Sequence, residues 1–205
     1  VVLAALVAAA LPGSARADIF EIDKEHTEVR FTWDHLGVSR QSGRLVDVAG
    51  TLDFDEARPE ASKVRATMRL AGLWTGVAKL DQLLVRGKDY FDTERHPTVL
   101  FESTAVRMTG ARTAEITGDL TINGKAVPVV LAATWNFTGE HPLAKINPTF
   151  SGIHVAGFSA TGVIRRSDWG ITRFAPYVSD EIQISIETEL KRTGVVAPQI
   201  GRAHV

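Results

Sequence analysis

TAEITGDLTINGKAVPVVLAATWNF, residues 113–137, is a pair of alternating runs joined at Asn123-Gly124. In the first run Ile116, Leu120 and Ile122 fall on one face, and Glu115, Thr117 and Asp119 on the other. In the second, Val129, Leu131, Trp135 and Phe137 share a face. A two-residue period sends successive side chains to opposite sides of a strand, leaving one face dry and one wet. Asn-Gly suits a type I′ turn, where both central residues need positive φ. The stretch is therefore a β-hairpin.

The chain around it follows the same rule. EIQISIETEL, residues 181–190, sets Ile182, Ile184, Ile186 and Leu190 against Glu181, Gln183, Ser185, Glu187 and Glu189. KVRATMRL, residues 63–70, sets Val64, Ala66, Met68 and Leu70 against Lys63, Arg65 and Arg69. The pattern returns in 28–34 through Val29, Phe31 and Trp33, and in 46–54 through Val46, Val48, Leu52 and Phe54. His154, Ala156, Phe158, Ala160 and Gly162 also share a face. Loops are expected at 55–62 and 139–152, where Pro59, Pro142 and Pro148 interrupt. One helix is expected over about 76–86, where Val77, Leu80 and Leu84 recur at three and four residues. Alternation fades after Leu190, so 191–205 is expected to be a frayed or disordered tail.

Seven to nine antiparallel strands with one helix make a single all-β domain over 18–190, as a sandwich or a barrel. Gly50, Ala66, Gly118, Ala133, Ala156, Ala160 and Gly162 are small residues on apolar faces. They favour a barrel, because about eight staves can enclose one small ligand. An outer-membrane barrel would show the same alternation with its faces reversed. With 7% aromatic residues and two Tyr, the chain lacks the two interfacial girdles such a barrel needs.

Twenty-three Lys and Arg against 24 Asp and Glu leave a net charge of -1. That is not the basic excess that binds a phosphate backbone, so no nucleic-acid partner is expected. The absence of Cys excludes disulfides, thiolate metal sites and Cys nucleophiles. Residues 1–11, VVLAALVAAAL, are continuously apolar, and Ala15-Arg16-Ala17 then fits an A-x-A cleavage pattern. The run is well short of the roughly 20 residues a membrane helix needs and has the length of a secretory h-region. Residues 1–17 are therefore expected to be a signal peptide, cut after Ala17, giving a periplasmic or secreted protein.

Four segments together resemble the YceI-like family of exported polyisoprenoid-binding proteins. They are IDKEHTEVRFTWDHLGVSRQSGRLVDVAGTLDFD (22–55), DYFDTERHPTVLFES (89–103), TGDLTINGKAVPVVL (117–131) and AGFSATGVIRRSDWG (156–170), the last followed by DEIQISIE (180–187). They stand in the family's order across nearly the whole expected mature chain. The resemblance implies an extended, lipocalin-like antiparallel β-barrel of about eight strands with a short helix packed against it. It also implies an apolar tunnel holding an isoprenoid chain, such as a quinone tail or polyprenyl phosphate, with no other cofactor. A transient contact with a membrane or with membrane redox proteins belongs to the same picture, and the oligomeric state is open, a dimer included. One departure lies at the helix, where the family's R-D-x-H-L run reads Leu80-Asp81-Gln82-Leu83-Leu84, without the Arg and the His.

Asp34, His35 and Ser39 supply the parts of a hydrolytic triad, yet there is no G-x-S-x-G elbow and neighbours on a strand end diverge. His35 is read instead as closing the strand end by a hydrogen bond in the turn, its other nitrogen offered to a ligand headgroup. No catalytic residue is assigned. His26, His35, His96, His141 and His154 show neither i, i+4 pairing nor an H-x-H, so no metal site is assigned. Arg165 and Arg166 are candidates for a phosphate headgroup, since guanidinium suits phosphate oxygens. The plain alternative is a solvated hairpin between 154–164 and 180–190. Phe31, Trp33, Met68, Leu120, Leu131, Ala133, Trp135, Phe158 and Ile184 are expected to line the cavity. The resulting expectation is an exported lipid carrier. Its rivals are an enzyme acting on such a lipid through His35 or His26, and a barrel filled by its own side chains.

Overall fold

The computed structural model describes residues 17–195, so the expected signal peptide, apart from Ala17, and residues 196–205 lie outside the described residues. Eleven strands and one α-helix follow in chain order: β1 (Asp18–Ile22), β2 (Glu28–His35), β3 (Ser39–Leu45), β4 (Val48–Phe54), β5 (Lys63–Arg69), β6 (Leu73–Trp74), α1 (Ala78–Arg86), β7 (Thr98–Met108), β8 (Thr113–Ile122), β9 (Lys125–Glu140), β10 (His154–Arg165) and β11 (Glu181–Val195). Three staves are each broken in two. β1 and β2 are interrupted by a 3₁₀ turn at Lys24–His26, and both pair with β11. β3 pairs with β2 and β4 with β1; β6 then pairs with β3 and β5 with β4. The remaining staves pair in sequence, and β11 closes on β1 and β2. The result is an eight-stranded, closed, antiparallel barrel with a short helix against it.

The apolar alternation faces inward and the charged alternation faces solvent, the reverse of a barrel built for a bilayer. Breaks in the staves change the parity that sequence alone assigns. β3 buries Leu45 while β4 buries Val48, so the residues between them absorb the switch and Val46, expected inward, is exposed. A bulge at Asn136, between Trp135 and Phe137 on β9, places Phe137 outside as well. The hairpin turn has Asn123 at φ 52° and Gly124 at φ 73°, as the type I′ reading requires. Asn123 does further work there: its side chain donates to Tyr90 O at 2.7 Å and accepts from Asp92 N at 3.2 Å, fastening the 89–92 segment to the barrel.

The tail expectation needs correction at its start. β11 continues to Val195, with Lys191, Arg192, Gly194 and Val195 in register with β1. Main-chain bonds and ion pairs hold the segment without apolar alternation, among them Arg192 Nη1 to Asp18 at 3.1 Å. The helix starts at Ala78, two residues inside the expected span, and Asp81 Oδ1 accepts from Thr75 N at 2.7 Å and Thr75 Oγ1 at 2.6 Å.

Asp23 pins the break between β1 and β2. It accepts from Lys191 Nζ at 2.8 Å, His26 Nδ1 at 3.0 Å and Glu25 N at 3.1 Å. The bond from Lys191 is the main reason its carboxyl is lowered to about 2. A depressed folded value stabilises the fold above the ordinary aspartate range and loses that contribution as pH falls toward 2. Asp23→Asn is therefore expected to cost about 1–2 kcal/mol at neutral pH. In urea unfolding across the acid range, the gap to wild type should close between about pH 4 and pH 2; a gap independent of pH would refute this.

Candidate functional site

Small inward residues decide what the barrel encloses. A Cβ on Gly43 would lie 2.4 Å from the Phe31 ring, and one on Gly118 would lie 2.5 Å from the Phe101 ring. The outer end of each aromatic ring therefore occupies the space that a side chain on the neighbouring stave's glycine would need. Ala114, Ala133 and Ala160 are register neighbours on β8, β9 and β10, a belt of methyl groups at one height. The space left over is a cavity of about 670 Å³.

All nine residues expected from parity line it. Phe31 and Trp33 stack with centroids 5.8 Å apart on one wall, beside Ile184. Leu131, opposite Ile116, lines the middle, Met68 and Leu120 stand toward the Asn123-Gly124 turn, and Ala133, Trp135 and Phe158 stand toward the end where β4 finishes at Phe54. There Phe54 meets Trp135 edge-on at 5.0 Å and Phe158 at 5.4 Å. Phe31, Trp33, Leu120 and Ile184 are only half-buried although they point inward, because the lumen beside them is wide enough for solvent.

Sequence reading missed several lining residues. Val99 and Phe101 were legible by parity in β7, and Leu80 and Leu84 by the helical period. Arg112 and Arg173 had no such signal, since both arrive on loops. Arg112 lies over the Trp135 ring at 5.0 Å.

The two arginines of the headgroup candidate separate. Arg165 faces outward with Val163 and stands 3.9 Å from Glu181, so it is not a cavity residue. Arg166 reaches the cavity wall, yet its guanidinium donates to the carbonyls of Ile171, Arg173, Val178 and Ser179 at 2.8–3.0 Å. It is the anchor of the 166–180 loop, which replaces the simple hairpin expected there. Consecutive residues on a strand end diverge, and only one of the pair could turn inward.

His35 lines the cavity, but the turn after it is closed by Asp34, whose Oδ1 accepts from Gly37 N at 2.6 Å. Its imidazole makes no hydrogen bond among the described residues. Ser39 Oγ accepts from Gln41 Nε2 at 2.9 Å, so Asp34, His35 and Ser39 are not assembled as a relay. Among the described residues no group of three or more His, Asp or Glu gathers as a metal site. The chemistry on offer is an apolar lumen with polar groups at its ends: His35, Gln41 and Arg173 at one, Lys63, Arg112 and Thr113 at the other.

The YceI-like domain model matches residues 20–190. A UPF0312 protein of Ectopseudomonas mendocina is 39% identical over 191 residues, covering 91% of this chain and 95% of that protein. Burkholderia cenocepacia BcnA superposes with a TM-score of 0.70 at 23% identity, over 82% of this chain and 98% of that one. A polyisoprenoid-binding domain from Saccharophagus degradans, implicated in plant cell wall breakdown, superposes at 0.55 with 10% identity, over 85% and 98%. Both structures share the fold.

Proposed function

Because the chain belongs to the YceI-like domain family, we propose that it is an exported carrier holding a long apolar isoprenoid lipid in its barrel without transforming it. The observation that carries this reading is the 670 Å³ lumen walled by aliphatic and aromatic side chains. Each methylene moved from water into such a lumen contributes about 0.8 kcal/mol, so a prenyl chain needs few polar contacts to bind tightly. A domain of this fold from Saccharophagus degradans is described as polyisoprenoid-binding. Among the described residues strand pairing begins at Asp18, the residue after the expected cleavage at Ala17, which suits a protein that folds after export. The headgroup contacts we favour are His35 and Arg173 at one end of the lumen, with Arg166 behind them.

Organic extraction of the purified protein followed by mass spectrometry tests the proposal; an empty extract from protein supplied with isoprenoid lipids would sink it. His35→Gln separates the carrier from an enzyme. Glutamine keeps a hydrogen-bonding side chain, so a carrier loses about one hydrogen bond, roughly 1 kcal/mol. An enzyme relying on His35 as proton shuttle would slow by about two to four orders of magnitude. The expected result is intact lipid from both proteins. Chemically altered lipid with wild type, and intact lipid with the variant, would overturn the carrier.

A further inference from the structure

Large apolar side chains are exposed where the β2–β3 turn meets the 166–180 loop. Leu36 is 52% exposed, Val38 81%, Phe174 56% and Tyr177 72%. The two segments are joined by main-chain bonds: Leu36 N donates to Tyr177 O at 2.8 Å, Ser179 N to Asp34 O at 3.0 Å, and His35 bridges Val178. Leu36 and Phe174 have φ of 64° and 62°, the left-handed region that glycine and asparagine tolerate and branched or bulky side chains resist. The third such residue among those described is Asn123, of the tolerant kind. The fold therefore gives up stability to hold a leucine outward and a phenylalanine at the cavity rim under Arg173, and solubility calls for neither.

We propose that this tip is a docking surface for a lipid bilayer, with Leu36, Val38, Phe174 and Tyr177 seated among the lipids. The proposal rests on the carrier reading, since a prenyl lipid resides in membrane and the cavity that would receive it reaches this end at His35, Phe174 and Val178. Charge points the same way. Arg40, Lys79, Arg86 and Lys88 are exposed at this end and make no ion pair among the described residues. Of the nearby acids only Asp89 is paired with a cation, Arg173; Asp34 is hydrogen-bonded to Gly37 N and Asp81 to Thr75, and Asp168 and Glu94 are exposed. Unpaired cations around an apolar tip fit an anionic bilayer surface.

The test is co-sedimentation of the full chain with vesicles of phosphatidylglycerol and phosphatidylethanolamine. The variant is Leu36→Asn with Val38→Ser and Tyr177→Ser, none of which lines the cavity; asparagine suits the backbone at 36, so folding is not penalised there. Leu143→Ser with Ile146→Ser removes comparable exposed side chains outside the tip and serves as control. Wild type and control are expected to sediment with the vesicles, and the tip variant at least tenfold less, with equal extracted lipid in all three. Unchanged sedimentation of the tip variant, an equal loss in the control, or a wild type that ignores vesicles and dimerises through this face would each overturn the docking surface. Empty extracts alongside tip-dependent vesicle binding would support the surface and remove the carrier reading alone.

Discussion

Ala133→Trp is expected to empty the barrel of lipid while leaving it folded. Ala133 is buried at the centre of the alanine belt, opposite Ala114 on one side and Ala160 on the other. An indole at this position has no wall space to occupy, because the neighbouring staves offer only methyl groups, so it must enter the lumen. The ligand and the ring then compete for one volume. Filling an unoccupied space costs less than forcing a packed core, where overpacking runs to about 1–3 kcal/mol. Extracted lipid should fall at least tenfold with little change in thermal unfolding. Ala132→Trp, one residue along the same strand and exposed, should keep its lipid. If the two variants carry equal lipid, the lumen is not where the lipid sits.

Arg166→Leu is expected to cost roughly 2–4 kcal/mol, the largest stability loss predicted here. The substitution strips donors from four carbonyls gathered around one guanidinium. Each buried acceptor left without a donor costs about 1–3 kcal/mol, and those nearest the exposed 172–177 stretch can turn to water. Arg166→Lys should recover little, because an ammonium cannot present the planar fork that reaches carbonyls in several directions. Urea unfolding should show the loss, and limited proteolysis should cut within 171–178 before the rest of the chain. A loss below about 0.5 kcal/mol, the range of an ordinary surface change, would show that the loop holds without its anchor.

Parity was the legible part of the site. Phe31, Trp33, Leu131 and Ile184 could be assigned inward from alternation alone, because a strand fixes side-chain direction every second residue whatever its neighbours are. The same reasoning failed at Val46 and Phe137, each beyond a stave break or a bulge. A bulge inserts one residue on one strand only, and its position depends on the partner strand, which lies elsewhere in the sequence.

The sequence by itself determined that this chain is antiparallel β with a dry and a wet face, that Asn123-Gly124 turns it, and that small residues leave the dry face room. These are local properties of backbone period and side-chain size. Tertiary structure alone decided that β11 closes on β1 and β2, and that the pairing runs on past Leu190 without any apolar signal. It also decided that Arg166 turns in to hold a loop while Arg165 turns out, and that Asp34 rather than His35 closes the turn. The partners of a polar side chain come from segments far away in the chain, so its role is fixed only once closure has set those segments side by side.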